Sequence, residues 1–174
     1  MNALAFQLLE PGNGDRTVEV GFGGGALLAR ILGRGSVAIG IDISEEVVAR
    51  ARRRFRRDIA EGRAQILLGS AESLPLGNAA ADAACSLNTI YFWKAPGDAM
   101  RELARAVRPG GTLVLGFEAP ETLCAWPGHR FGFRVYDAPE VVALAEAAGF
   151  GNAEVHEGLE PKYGRIICVK CERL

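Results

Sequence analysis

The sequence has 174 residues, of which 49% are apolar and 24% are charged, and its formal net charge is −1 at pH 7. This length suits one domain with a single hydrophobic core, and the composition excludes a disordered or collagen-like chain. The small net charge gives no long-range attraction to nucleic acid or to an anionic membrane, and no apolar run is long enough to span a bilayer. No signal peptide follows Met1, so we expect a single cytoplasmic domain over residues 1–174.

In chain order, residues 3–9 form at most about two helical turns, and from residue 17 onward short β-branched runs alternate with helical patterns. This alternation is typical of a mainly parallel sheet with helices on its faces. Ser44, followed by two glutamates, predicts a helix start, and the Pro-Gly-Gly turn at 109–111 predicts a helix end. The predicted helices span residues 25–32, 44–60, 96–107 and 138–148. The predicted strands span residues 17–21, 36–42, 64–69, 81–87, 112–118, 153–157 and 165–170.

The first predicted strand leads into a glycine-rich loop that begins a helix. Glycines permit positive φ and carry no Cβ, so the backbone turns sharply and comes close to a nucleotide-like ligand at the helix N-terminus. Asp42 ends the second predicted strand, near the position about 20 residues on where an acid binds both ribose hydroxyls. The spacing Gly21-x-Gly23-x-x-Ala26 with Asp42 fits NAD as well as S-adenosylmethionine (SAM), so it leaves an oxidoreductase and a methyltransferase both open.

Glu19 favours SAM over NAD. It lies two residues before the first glycine, at the end of a strand that we expect to be buried on both faces, where an unpaired charge costs several kcal/mol. The methionine ammonium of SAM would supply a cationic partner, whereas a carboxylate at this position would repel a pyrophosphate. The alternative is that Glu19 pairs with a surface arginine.

Five segments in order resemble the motifs of a known family. They are Glu-Val-Gly-Phe-Gly-Gly-Gly at 19–25, Gly-Ile-Asp-Ile-Ser at 40–44, Gly-Ser-Ala-Glu-Ser-Leu-Pro at 69–75, Ala-Asp-Ala-Ala at 81–84, and the stretch at 101–111. Through them the chain resembles the class I SAM-dependent methyltransferases, in particular the ubiquinone/menaquinone-biosynthesis-like (methyltransferase type 11) group. The resemblance implies an α/β, Rossmann-like, doubly wound sheet of seven strands in the order 3-2-1-4-5-7-6, with the last strand antiparallel and helices on both faces.

The resemblance also implies which residues hold SAM. Glu19 would lie near the methionine part, Asp42 would bind the ribose, Ile43 would stack on adenine, and the segment at 70–72 would meet the adenine edge. Many relatives have Asp where this chain has Ser70, which puts that adenine contact in question. The implied cofactor-binding residues are Glu19, Gly21, Phe22, Gly23, Gly25, Asp42, Ile43, Ser70, Ala71, Glu72, Leu87, Asn88 and Thr89.

Aromatic residues gather in the two loops that follow the fourth and fifth predicted strands, within residues 91–93 and 126–136. They indicate a small apolar or aromatic methyl acceptor, although filling the interface between loop and core is an equally good explanation. Tyr91 and His129 are the candidate catalytic residues. The Asn88-x-x-Tyr91 spacing is weakly similar to the Asn-Pro-Pro-Tyr motif of amino-group methyltransferases, and His129 is a candidate base because imidazole titrates near neutral pH.

Two other features favour structural roles. Cys168 and Cys171 have metal-ligand spacing, but on a strand they face opposite sides and no second pair completes a site, so we expect no metal. The arginine-rich stretch at 50–57 is interpreted as a solvated helix face rather than a nucleic-acid patch.

The short apolar segment at 3–9 predicts an N-terminal cap that needs a surface to pack against. A symmetric homodimer in which each chain covers its neighbour's cleft would meet this need. A third functional alternative, besides the methyltransferase and the oxidoreductase, is a non-catalytic SAM-fold binding domain.

Overall fold

A computed structural model describes residues 1–125, 133–161 and 164–174 of the chain. The helices are α1 (Asn2–Leu9), α2 (Ala26–Gly33), α3 (Glu45–Arg54), α4 (Arg56–Ala60), α5 (Pro96–Ala106), α6 (Pro120–Ala125) and α7 (Ala138–Ala147). The strands are β1 (Arg16–Val20), β2 (Val37–Asp42), β3 (Ala64–Leu68), β4 (Ala81–Leu87), β5 (Val107–Glu118), β6 (Phe150–Glu160) and β7 (Gly164–Arg173).

The strands form one sheet in the order β3-β2-β1-β4-β5-β7-β6. β1 pairs in parallel with β2 on one side and with β4 on the other, so Val18 lies between Ile39 and Ala84. β7 runs antiparallel to both of its neighbours, β5 and β6. The predicted strand order and the single antiparallel strand are therefore confirmed. The order reverses between β1 and β4, and sheets of this kind bind ligands beyond the carboxyl ends of the strands at such a point.

Helices cover both faces of the sheet, and each face has its own apolar cluster. Leu103 of α5 and Phe117 of β5 are fully buried on one face, whereas Leu28 and Ile31 of α2 are fully buried on the other. A sheet buried on both faces accounts for the nearly continuous apolar runs of its central strands. Because successive strand residues alternate between faces, Cys168 and Cys171 lie in different clusters, on opposite faces of the sheet as predicted.

The predicted helix at 44–60 is wrong as a single element, since the chain forms α3 and α4 with a break at Phe55. Ser44 caps α3 as predicted, because its hydroxyl accepts the Val47 N–H at 3.3 Å. Phe55 leaves helical geometry at φ −97° and ψ 20°, and it is only 5% exposed. Its ring lies against the glycine loop, where a Cβ on Gly25 would come within 2.9 Å of Phe55 Cε2. Packing of this ring therefore outweighs the continuous helical pattern.

Other boundaries also differ from the sequence predictions. Gly21 lies beyond β1, because its φ of 73° leaves the extended region. β6 and β7 extend well beyond 153–157 and 165–170, because they pair with each other as a long antiparallel ribbon. Helix α6 was not predicted, and it is only 6 residues long. Pairing between segments that are distant in sequence sets the ends of β6 and β7. Local sequence patterns therefore do not predict where these strands end.

Helix α1 packs against the sheet of its own chain. Ala5 and Leu9 are buried, and they join Val114 of β5 and Ile166 of β7 in one apolar cluster. The apolar surface at residues 3–9 is thus largely covered without a second subunit. None of the described helices is long and apolar enough to cross a membrane.

Candidate functional site

The loop between β1 and α2 depends on glycine at three positions. Gly21, Gly23 and Gly25 have φ values of 73°, 49° and 69°, a region that residues with a Cβ rarely adopt. A Cβ on Gly21 would also overlap the methyl group of Thr89, whereas a Cβ on Gly23 would meet nothing within 4 Å. The loop therefore lies against the end of β4 at Gly21 and leaves open space above Gly23.

Asp42 fixes the position of this loop. The carboxylate is 8% exposed, and its Oδ2 accepts the Gly23 N–H at 3.2 Å while its Oδ1 accepts the Ser44 N–H at 3.0 Å. These two bonds tie the glycine loop to the start of α3. Each carboxylate oxygen accepts more than one hydrogen bond, so Asp42 keeps acceptor capacity for the hydroxyls of a ligand.

Glu19 is the least satisfied acid of the site. It is 4% exposed, and its Oε2 has no hydrogen-bond partner among the described residues. Burial raises the pKa of Glu19 to about 8, although the Leu28 N–H in the first turn of α2 opposes this shift; the nearby Asp42 charge adds to it. No arginine of residues 1–125, 133–161 or 164–174 pairs with Glu19, so these residues do not show the surface ion pair that was the alternative to a ligand cation. A buried acceptor without a donor indicates a binding position for a ligand donor or cation.

Two adjoining cavities lie at the carboxyl ends of the central strands. The larger, of about 580 Å³, adjoins Glu19 and Gly23, and the smaller, of about 240 Å³, adjoins Asp42 and Ile43. Gly21 and Asn88 line both cavities, so the cavities form two halves of one cleft. Every predicted cofactor residue except Gly25 lines one of them: Glu19, Gly21, Phe22, Gly23, Asp42, Ile43, Ser70, Ala71, Glu72, Leu87, Asn88 and Thr89.

The rim of the smaller cavity combines an apolar surface with a polar loop. Ile43 is 76% exposed there, as expected of a side chain that stacks on a ligand ring. Glu72 accepts hydrogen bonds from the Ser70 hydroxyl and from the Lys94 N–H at 2.9 Å. Burial alone would raise the pKa of Glu72, but these hydrogen bonds lower it overall. Glu72 thus holds the loop at 70–73 against residue 94, and Ala71 faces the cavity.

The end of β4 has a strained turn that contains Asn88, at φ 55°. The Tyr91 hydroxyl donates to Asn88 Oδ1 at 3.3 Å and accepts the Glu118 N–H. Tyr91 is 7% exposed, and burial raises the pKa of its phenol. The hydroxyl is therefore a neutral group that links the ends of β4 and β5 beneath the cleft.

The aromatic residues of the two loops divide into cleft and core. Phe92 and Trp93 line the smaller cavity, and Phe92 packs edge-to-face on Phe133 with ring centroids 4.8 Å apart. Tyr136, in contrast, is 1% exposed and belongs to the core. The candidate base His129 lies outside the described residues.

The metal and nucleic-acid predictions concern other parts of the surface. Within the described residues, no group of His, Cys, Asp and Glu could hold a metal ion. Three arginines of the stretch at 50–57 have partners within the described residues. Arg50 forms an exposed ion pair with Glu46 at 3.7 Å. Arg52 donates to the Ile66 carbonyl at 3.0 Å, and Arg54 donates to the Gly24 carbonyl and lies over the Phe55 ring. These contacts are consistent with the solvated structural face that the sequence predicts.

Sequence reasoning did not identify Arg30, Gly69 and Glu160, which also line the cleft. Arg30 follows the glycine loop by about one helical turn, and this spacing is a signal that could have identified it. Glu160 is at the distant end of β6, and only the strand order brings it to the cleft.

A family model described as a methyltransferase domain matches residues 18–115, more than half of the chain. The chain belongs to the class I SAM-dependent methyltransferases, whose methyl donor is SAM.

Similar proteins agree with this membership. The uncharacterized methyltransferase YdaC of Bacillus subtilis is 28% identical over 163 residues, which cover 92% of this chain and 84% of YdaC. The uncharacterized methyltransferase Rv3342 of Mycobacterium tuberculosis is 30% identical over 122 residues, which cover 70% of this chain but 47% of Rv3342. This chain therefore spans about half the length of its mycobacterial relatives.

Solved structures share the fold. A putative methyltransferase in a complex with the Haloferax volcanii Trm112 methyltransferase activator matches with a TM-score of 0.85, at 20% identity, over 99% of this chain and 88% of that chain. The phosphoethanolamine N-methyltransferase 2 of Haemonchus contortus, solved with S-adenosylhomocysteine, matches with a TM-score of 0.84, at 15% identity, over 99% and 52% of the two chains.

The residues of the cleft fit SAM. Glu19 Oε2, which has no partner among the described residues, offers an acceptor for an ammonium group. The open space above Gly23 admits a ligand chain that lies close to the backbone. Asp42 and Ile43 suit a ribose and an adenine ring in the adjoining half. Together with the family match, this arrangement favours the methyltransferase interpretation over the NAD-dependent one.

Proposed function

We propose that this chain transfers the methyl group of SAM to a small apolar or aromatic molecule. The observation that carries the proposal is the buried Glu19 oxygen, which has no donor among the described residues and lies at the wall of a cleft whose other half contains Asp42 and Ile43. When bound, SAM supplies an electrophilic methyl group on a sulfonium ion. The chain's own residues then have to bind SAM and the acceptor, orient them toward each other and exclude water. These contributions can supply much of the rate of a displacement reaction.

Glu19 receives the ammonium of the methionine part, and Asp42 receives the ribose hydroxyls. Ile43 covers one face of the adenine, and Ser70 and Ala71 meet its edge. The two bonds from Gly23 and Ser44 already hold the Asp42 carboxylate in place before a ligand arrives. Such preorganisation reduces the ordering cost of binding.

The acceptor lies on the side of the cleft where Phe92, Trp93 and Phe133 are placed. Phe92 is 62% exposed, so its ring is accessible to an acceptor. Two relatives support a small-molecule acceptor by their names, the O-methyltransferase cnsE of Penicillium expansum and the 27-O-demethylrifamycin SV methyltransferase of Amycolatopsis mediterranei. The apolar rim favours a planar or lipid-like acceptor over a strongly charged one.

Tyr91 and His129 have different proposed roles. The Tyr91 hydroxyl is engaged by Asn88 and by the Glu118 N–H, so we assign it to positioning the turn under the cleft. His129 remains the proposed general base for an acceptor hydroxyl or acidic carbon, because imidazole is poised near neutral pH.

A thermal-shift and calorimetric screen with SAM, S-adenosylhomocysteine and NAD tests the cofactor. We expect SAM and S-adenosylhomocysteine to raise the melting temperature. NAD at equal concentration should leave it unchanged, because only a ligand that binds the native state stabilises that state. Release of S-adenosylhomocysteine with a panel of phenols, quinols and prenyl alcohols then tests turnover. Tight SAM binding with no turnover of any acceptor would favour the non-catalytic SAM-fold domain, and stabilisation by NAD alone would overturn the proposal.

The partner predictions are part of this proposal. We propose a cytoplasmic chain without a nucleic-acid partner. A homodimer also remains a prediction, although α1 already packs onto its own sheet through Ala5 and Leu9. Sedimentation at several concentrations, compared with a variant that lacks residues 1–9, tests the dimer. A monomer at all concentrations, with SAM affinity unchanged after the deletion, would refute it.

A further inference from the structure

The larger half of the cleft contains an arginine that the proposed cofactor residues leave unassigned. Arg30 of α2 lines the same cavity of about 580 Å³ as Glu19. The cavity thus presents an acid and a guanidinium to one ligand. A free amino-acid group carries an ammonium and a carboxylate on the same carbon, and it needs both of these partners.

Helix geometry explains why Arg30 reaches the glycine loop. α2 begins at Ala26, and Arg30 follows one turn later, about 5.4 Å along the axis. Side chains of a helix lean toward its N-terminus, so a long arginine side chain at this position extends back toward Gly23 and Gly24. Both glycines line the cavity with it.

Arg30 is also free to bind a ligand. Among residues 1–125, 133–161 and 164–174, Arg30 forms no hydrogen bond and no ion pair, whereas Arg52 and Arg54 are both committed to carbonyl groups. Within the described residues, the guanidinium is therefore a charged donor that lines the cavity without a partner of its own.

We propose that Arg30 binds the methionine carboxylate of SAM while Glu19 binds the ammonium, so that the two side chains recognise the amino-acid group as a zwitterion. The inference rests on the proposed function, because it concerns the same cofactor. Its consequence is selectivity: the chain distinguishes SAM from analogues that keep the sulfonium and the adenosine but lack the carboxylate. The planar guanidinium fork suits a carboxylate, with which it forms two parallel hydrogen bonds.

Calorimetric titration of the full chain with three ligands tests this assignment. SAM has both charged groups, decarboxylated SAM lacks only the carboxylate, and 5′-methylthioadenosine lacks the whole amino-acid group. We compare the wild type with Arg30→Gln and Arg30→Lys. The matched control is Arg34→Gln, which removes an equal charge from the exposed end of α2 outside the cavity.

We expect Arg30→Gln to weaken SAM binding by about 10- to 100-fold, the usual effect of removing a charged hydrogen-bond partner. We expect the same variant to bind decarboxylated SAM and 5′-methylthioadenosine with affinities within about twofold of the wild-type values. This result would also show that the site is still folded. Arg30→Lys retains part of the preference for SAM because it keeps the charge without the fork, and Arg34→Gln changes nothing.

An unchanged ratio of SAM affinity to decarboxylated-SAM affinity in Arg30→Gln would overturn the assignment while leaving the proposed function intact. Equal losses for all three ligands would also overturn it, since they would indicate a distorted cleft rather than a lost carboxylate contact. Failure of the wild type to bind SAM or S-adenosylhomocysteine at all would instead refute the proposed function, and this inference with it.

Discussion

Replacing Glu19 by glutamine separates the stability of the chain from its ligand binding. The wild-type carboxyl is 4% exposed, and one of its oxygens has no partner in the part of the chain that the structure describes. Glutamine keeps the shape and the acceptor that meets the Leu28 N–H, but it does not ionise. We therefore expect the variant to be more stable than the wild type at high pH when no ligand is present, and yet to bind SAM more weakly.

The pKa of Glu19 gives the magnitude and the sign of this effect. The pKa is raised from 4.5 to about 8 in the folded chain, so between these values the folded state holds a proton that the unfolded state has lost. Stability then falls as pH rises through this window and levels off above it. Each unit of difference corresponds to about 1.4 kcal/mol, so the wild type loses about 4 kcal/mol between about pH 5 and pH 8.5. The glutamine variant lacks this contribution.

Urea denaturation of the ligand-free proteins at a series of pH values measures the effect. The control is Glu146→Gln, which removes an exposed acid of α7 far from the cleft. An ammonium beside Glu19 would lower its pKa again, so SAM binding at neutral pH should release close to one proton from the wild type and none from the variant. Calorimetry in buffers of different ionisation enthalpy detects that proton.

Two results would refute this reasoning. If the wild type and Glu19→Gln show parallel pH profiles between about pH 5 and pH 8.5, the carboxyl does not hold a proton in the folded state. If the variant binds SAM as tightly as the wild type, Glu19 does not receive the ammonium. The stability of Glu146→Gln should change with pH as that of the wild type does in either case.

Three further substitutions test the frame of the site. Asp42→Ala should weaken SAM binding by about 1.5–3 kcal/mol, the usual loss for hydrogen bonds to a charged group, as measured by calorimetric titration. Gly21→Ala should lower the free energy of unfolding by at least about 2 kcal/mol, because it combines a φ of 73° with an overlap on the Thr89 methyl group. Tyr91→Phe should lower the free energy of unfolding by about 1–3 kcal/mol in urea denaturation, because it leaves the partly buried Glu118 N–H without its acceptor.

Each of these predictions has its own comparison. The control for Gly21→Ala is Gly14→Ala. Gly14 has a similar φ of 83°, but a Cβ at this position would meet no atom within 4 Å, so this variant measures the backbone cost without the overlap. Equal losses for the two alanine variants would show that the contact with Thr89 is unimportant. Unchanged SAM affinity in Asp42→Ala would remove that acid from the site, and a fully stable Tyr91→Phe would mean that the hydroxyl does not link β4 to β5.

Much of the fold could be predicted from the sequence because its signals are local. The strand, glycine loop and helix around Gly21 and Gly23 follow from residue types in order, and Asp42 follows from its spacing. The strand order came from the resemblance of several short motifs to one family, and the structure confirms it. Ser44 was correctly predicted as a helix cap, because capping depends on a few neighbouring residues.

The break at Phe55 could not be predicted in this way. The helical pattern continues through residues 44–60, but the ring is buried against Gly25 of a loop some 30 residues earlier in the chain. The same holds for Tyr91, whose hydroxyl is engaged by the backbone of Glu118. In both cases a contact between segments distant in sequence decided the local structure.

The sequence by itself thus determined the class of fold, the family and about half of the residues that line the cleft. Only the tertiary structure decided which of those residues already have hydrogen-bond partners and which are available to bind a ligand. Within the described residues, it showed that Glu19 has an oxygen without a donor, that Arg30 lines the same cavity, and that α1 packs its apolar side on the chain's own sheet. The physical reason is that residue type and spacing report local geometry, whereas hydrogen-bond partners, burial and pKa depend on which distant segments come together.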